Sequence, residues 1–224
     1  MKLKLIVFLL LIPILTFAQG QRETDVGFSL SMELQKNLMQ NLDASLEQEV
    51  RLIDNNIGFD RTITSLGLDY AFFNRKIKVG AYYAFIYRYN NDFIFEPRHR
   101  YYFNLAYRQP WQRWTFSWRG RFQSTYRDEN RGAYKINPRY IMRNRFEIEY
   151  SIWGRPWKPY ISCEVFNELN NPLGNELTRI RYQAGTSWRL NRTDYLDFFV
   201  RYNDEFSGRD SRLLALGIGY RVKL

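Results

Sequence analysis

The chain has 224 residues with 33 basic and 23 acidic side chains, one histidine and one cysteine, for a formal net charge of +10. It carries 17 Tyr, 17 Phe and 6 Trp, yet its mean hydropathy is −0.50. A chain so aromatic and still polar on average is not a bundle of membrane helices, and Cys163 alone cannot close an intrachain disulfide.

Residues 1–18 read as a cleaved signal peptide. Lys2 and Lys4 precede the apolar stretch from Leu5 to Leu15, and Thr16-Phe17-Ala18 supplies a small-residue cleavage site. The stretch is too short for a comfortable helical span, and no later segment reaches 18 consecutive apolar residues. Residues 19–224 then form a single domain, with no linker to suggest a second.

From there the chain alternates. An extended backbone points successive side chains to opposite faces, so a period of two sorts residues into two walls. The first run, Asp25 to Leu34, puts Val26, Phe28, Leu30, Met32 and Leu34 together, and a turn is expected at Lys36 to Gln40. The second joins Leu42, Ala44, Leu46, Val50 and Leu52 before the turn signal Asp54-Asn55-Asn56. The third groups Leu66, Leu68, Tyr70 and Phe72, and the fourth groups Ile77, Val79, Ala81, Tyr83, Phe85, Tyr87 and Tyr89. After a loop at Asn90 to Asp92, the fifth sets Tyr101, Phe103, Leu105 and Tyr107 against Arg98, Arg100, Asn104 and Arg108, with Pro110 marking the next turn. The sixth sets Trp114, Phe116, Trp118 and Phe122 against Thr115, Ser117, Arg119, Arg121 and Gln123. A polar loop from Arg127 to Asn137 feeds the seventh, RYIMRNRFEIEY. Its Tyr140, Met142, Phe146, Ile148 and Tyr150 oppose Arg143, Arg145, Glu147 and Glu149. The eighth opposes Ile161, Cys163 and Val165 to Ser162, Glu164 and Glu168, and the ninth opposes Ile180, Tyr182, Ala184 and Trp188 to Arg179, Arg181 and Gln183. The tenth sets Leu196, Phe198, Val200 and Tyr202 against Asp197, Arg201 and Asn203. After a loop at Ser207 to Asp210, the last aligns Leu214, Leu216, Ile218, Tyr220, Val222 and Leu224.

Eleven amphipathic runs admit two all-β readings. A soluble sandwich would hide the apolar faces and wet the charged ones. A transmembrane β-barrel turns its apolar face to lipid and its charges to the lumen. Aromatic stripes along nearly every run, mixed Arg and Glu on the opposite faces, and the alternating C-terminal stretch GIGYRVKL favour an antiparallel outer-membrane barrel of about 10–12 strands. Bacterial single-chain barrels have even strand counts, so an odd count implies a hidden strand or a first run outside the wall. Turns after runs 1, 3, 5, 7 and 9 are basic and often aromatic, as in QPWQR and IWGRPWK, while those after runs 4 and 6 are longer and more polar.

The segments RHRYYFNLAYR (98–108), YIMRNRFEIEY (140–150), PYISCEVFNEL (159–169) and RIRYQAGTSWRLN (179–191), in that order, resemble a family of small predicted outer-membrane proteins of Gram-negative bacteria catalogued as a domain of unknown function. The resemblance implies a barrel and an outer-membrane location and brings no activity with it.

The residues expected to line the lumen are Arg98, Arg100, Arg119, Arg121, Arg143, Arg145, Glu147, Glu149, Glu164, Glu168, Arg181, Asp197 and Arg201. Mixed signs allow them to pair with one another and fill a narrow, structural or pore-like barrel. If arginines outnumber carboxylates at one height, they would instead make a channel or binding site for small anionic solutes. A membrane-embedded enzyme acting on lipids or peptides is the third reading. It would need His99, the one histidine, whose parity with Tyr101 puts it outside the lumen and away from Ser162. No metal or cofactor motif is present, and the basic residues are spread over every run rather than concentrated as in a nucleic-acid interface. Lys and Arg near the rims point instead to outer-membrane lipids, including lipopolysaccharide, as partners. The sequence says nothing of oligomeric state.

Overall fold

The computed structural model describes residues 24–53, 58–89, 95–127, 136–172, 174–206 and 211–224. The signal-peptide reading and the loop signals at Asp54-Asn55-Asn56, Asn90 to Asp92 and Ser207 to Asp210 lie outside the described residues, as does most of the loop from Arg127 to Asn137.

All eleven runs are strands: β1 (Thr24–Met39), β2 (Leu42–Ile53), β3 (Gly58–Phe72), β4 (Ile77–Tyr89), β5 (Phe95–Trp111), β6 (Trp114–Arg127), β7 (Arg139–Tyr150), β8 (Trp157–Glu168), β9 (Glu176–Arg189), β10 (Asp194–Glu205) and β11 (Arg212–Lys223). Each pairs with its neighbours in the sequence, and β1 pairs with β11 to close a barrel. Every strand has at least 12 residues, more than the roughly 9–11 a tilted strand needs to cross a bilayer.

The odd count is resolved in a way the even-number rule does not anticipate. No strand is hidden among the described residues, and the first run does belong to the wall. With eleven strands the first and last run in the same direction, so the closing pair is parallel, in register from Thr24↔Arg212 to Gln35↔Lys223. The other ten neighbouring pairs are antiparallel. Parallel bonds slant but still satisfy both backbones, and closure leaves no edge.

Several strands outrun their sequence signals. β1 continues through Lys36 to Met39, so the first turn shrinks to Gln40 and Asn41, the latter left-handed at φ 69°. β3 starts at Gly58, well before the apolar cluster at Leu66. Pro110 lies inside the end of β5, opposite Thr115, and Pro159 inside the start of β8, opposite Thr186. At strand ends the donor that proline lacks is least missed.

The wall is inside out relative to a soluble protein. Large apolar side chains stand uncovered on the outside, among them Leu66 at 55%, Phe103 at 59%, Phe146 at 59% and Ile161 at 60% exposure. The residues withdrawn from solvent are instead mostly polar: Asp43, Asp60, Asn104, Gln123, Arg143, Glu164, Arg181 and Asn203 are all buried. Outer aromatic rows mark both ends. Tyr87 stacks on Phe95 at 4.6 Å towards the long-loop end, and Trp157 stacks on Trp188 at 4.5 Å beside the short turns. No second sheet covers the outer face among the described residues, so the sandwich reading is excluded.

Candidate functional site: the charged lumen

One cavity of about 810 Å³ runs down the inside of the barrel, from Arg88, Arg127 and Arg139 near the long loops to Glu33, Glu149 and Arg221 near the short turns. The period of two builds it, because every strand hands alternate side chains inward. Of the residues the sequence nominates, Arg98, Arg100, Arg119, Arg121, Arg143, Arg145, Glu147, Glu149, Glu164, Arg181, Asp197 and Arg201 all line this cavity. Glu168 shares the inward face, opposite the lumen-lining Ile141, but is buried beneath Arg139, accepting from its Nη2 at 2.5 Å. Arg139 covers it at the strand end, which strand parity alone does not reveal.

Glu164 is the centre of the network on β8. Its carboxylate accepts from Arg143 Nη2 at 2.8 and 2.9 Å and from Arg119 Nη2 at 2.8 Å, with Arg181 Nη1 at 3.5 Å. Arg143 and Arg181 also cover the face of Phe166, at 4.5 and 5.1 Å from its centroid, so packing as well as charge fixes the guanidinium planes. Arg145 is paired with Glu147, and Arg98 with Glu96 at 2.7 Å. Glu149 meets Arg108 at 3.1 Å and Lys158 at 3.6 Å. Asp197 accepts from Tyr160 Oη at 2.9 Å.

Two of the nominated arginines form no ion pair among the described residues. Arg100 donates from Nε to Thr125 Oγ1 at 3.1 Å. Arg121 donates to Asn104 Oδ1 at 2.7 Å and lies over Tyr102, 4.2 Å from the centroid. The charges nearest to Arg100 include those of Arg143, Arg61, Arg51 and Arg121. Those felt by Arg181 include Arg201, Arg143 and Arg51. Around the middle of the lumen, Arg51, Arg100, Arg121, Arg143, Arg181 and Arg201 therefore converge. Glu49 and Glu164 are hydrogen-bonded within this group, and Glu47 and Asp60 lie near enough to act on it, Glu47 on Arg51 and Arg121 and Asp60 on Arg51. Glu49 is held by Arg51 at 2.8 and 2.9 Å and by Ser29 Oγ at 2.8 Å, with Arg201 at 3.9 Å. Nearer the short turns the balance reverses, for Glu47 sits directly opposite Glu33, and only Glu33 has an ion pair among the described residues, with Arg221 at 2.6 Å.

The sequence list misses Arg51 and Glu49, although the parity opposite Leu46, Val50 and Leu52 carries both. Asp60 and Arg61 were less accessible. The register shifts at Arg51/Leu52, so β3 gains one residue there and two adjacent side chains both enter the lumen. Arg61 donates to Asp60 at 2.6 Å, and Arg88 approaches the same carboxylate at 3.4 Å. His99 is on the outer face, 2.7 Å from Tyr83 Oη through Nδ1. Ser162 lines the cavity on the other side of the wall.

Comparison with known proteins adds a family. A family model described as a protein of unknown function, DUF2490, matches residues 27–213. The chain belongs to the DUF2490 family. A search of the curated proteins finds no match. Among solved structures, the crystal structure of the β domain of the Bordetella autotransporter BrkA is similar, with a TM-score of 0.44 and 13% identity over 81% of this chain and 82% of that one.

Proposed function

We propose that this DUF2490 barrel resides in the outer membrane and admits small anions through its lumen. The supporting observation is the convergence of six arginines around mid-height, more than the carboxylates Glu47, Glu49, Asp60 and Glu164 that act on them among the described residues. Two of those arginines, Arg100 and Arg121, are held by neutral partners alone. Guanidiniums held by Thr, Asn and aromatic faces keep their charge on offer to a passing carboxylate, phosphate or halide. Arg143, already committed to Glu164, is a poorer candidate for selectivity, and so is Arg145, committed to Glu147.

The test is the reversal potential of the refolded protein in a planar bilayer under a KCl gradient, beside an Arg100→Gln/Arg121→Gln variant. Anion preference in the parent that the variant reduces is the expected outcome. Cation preference, or insertion without conductance, would overturn it; the second result would assign the paired charges a filling role and place the protein's work on its loops or outer surface.

A further inference from the structure

All six tryptophans of the chain, Trp111, Trp114, Trp118, Trp153, Trp157 and Trp188, lie at the short-turn end of β5 to β9 or in the turns between them. The long-loop end has none, and neither has the arc made by β1 to β4. Trp111 and Trp153 are 61% and 84% exposed on the outside. The three turns beside them, β5–β6, β7–β8 and β9–β10, carry Arg113, Arg155 and Arg192, and Arg189 ends β9 at the last of them; all four are exposed and none is in an ion pair among the described residues.

These turns form one continuous surface. Ser151 N–H donates to Arg113 O at 2.8 Å, and Arg189 N–H donates to Pro156 O at 3.1 Å, tying neighbouring hairpins side by side. The Arg113 guanidinium lies 5.7 Å from the Trp153 centroid, crossing from one turn to the next. The opposite arc carries Arg75, neutralised by Asp43 at 2.5 Å, and the exposed Lys36 and Lys76, but no indole beside them. One side of this rim thus combines indole rings, which favour the boundary between lipid and water, with cations whose charge nothing in the wall consumes.

We propose that this crescent binds the headgroups of anionic glycerophospholipids. Indole rings would lie against the glycerol and upper acyl region, while the four arginines engage headgroup phosphates. A zwitterionic lipid offers the same phosphate beside its own cation and is disfavoured. The inference rests on the membrane reading above and is independent of what the lumen conducts.

The experiment reads the tryptophans themselves. The barrel is refolded into vesicles in which either phosphatidylglycerol or phosphatidylcholine carries bromine near the headgroup, at equal mole fraction, and quenching of indole fluorescence is compared. The wild type should be quenched more by brominated phosphatidylglycerol, and high salt should remove the difference. An Arg113→Gln/Arg155→Gln/Arg189→Gln/Arg192→Gln variant should lose most of the preference, at roughly fivefold in relative affinity per arginine. The substitutions sit in or at exposed turns, so strand content by circular dichroism should not change. Equal quenching of the wild type by both lipids overturns the inference and leaves the membrane reading standing. Quenching by neither overturns both.

Discussion

Glu164 is 3% exposed and accepts hydrogen bonds from three arginines. A buried carboxylate of this kind cannot be neutralised cheaply, since Arg119, Arg143 and Arg181 would be left facing one another across a neutral amide. Removing one partner of a buried charge cluster costs about 3–5 kcal/mol, chiefly because the remaining charges stay buried. Glu164→Gln should therefore lower the urea midpoint of the refolded barrel sharply, and adding Arg143→Gln should recover part of the loss, as a double-mutant cycle would measure. A shift under 1 kcal/mol would mean that lumen water screens the cluster. The selectivity variant differs in kind. Arg100 and Arg121 are held by Thr125 and Asn104, so replacing them with Gln removes net charge and leaves no carboxylate orphaned. At this scale the sequence named part of the lumen, but which arginine meets which carboxylate depends on strand register, and register is not written in the parity of any single run.

At the level of the strand, the parallel β1–β11 seam carries the claim most open to direct test. Leu30 and Ile218 face each other there on the outer side, at mid-seam. In a Cys163→Ser background, Leu30→Cys with Ile218→Cys should cross-link on mild oxidation and shift mobility on a denaturing gel. Leu30→Cys with Leu214→Cys, displaced along the seam, should not. Equal cross-linking of both pairs would argue against the register and for a seam that opens. Strand existence and facing were legible in advance, because alternation repeats over a dozen residues in each run. Strand ends were not: β1 passes through the polar stretch Gln35-Lys36-Asn37 because Ser45, Ala44 and Asp43 of β2 pair with it. The bulge in β3 had no local signal either, since Asp60-Arg61 reads as an ordinary polar pair until a partner strand shows that both point inward.

For the whole molecule, the inversion of polarity predicts opposite responses to the same charge on the two faces. Leu66→Arg places a cation on the outer wall near mid-height, where lipid contact should cost about 2–4 kcal/mol. Ser162→Arg places the same side chain in the lumen beside carboxylates and water, and should cost far less. Refolding yield and urea midpoints in vesicles measure both; equal penalties would contradict the lipid-facing assignment. The lumen is also polarised along its length, with arginine in excess at mid-height and Glu33 facing Glu47 below. A single net charge of +10 conceals this, since the total says nothing about height.

By itself the sequence determined the all-β class and the facing of nearly every strand, because a period of two is a local property of an extended chain; of the lumen charges it named only part, leaving out Glu49, Arg51, Asp60 and Arg61 among others. Only the tertiary structure decided how the barrel closes, since a parallel seam joins segments nearly the whole chain apart. It also decided which charges are spent on each other and which remain available, because that depends on the mutual height of strands around a closed, sheared wall.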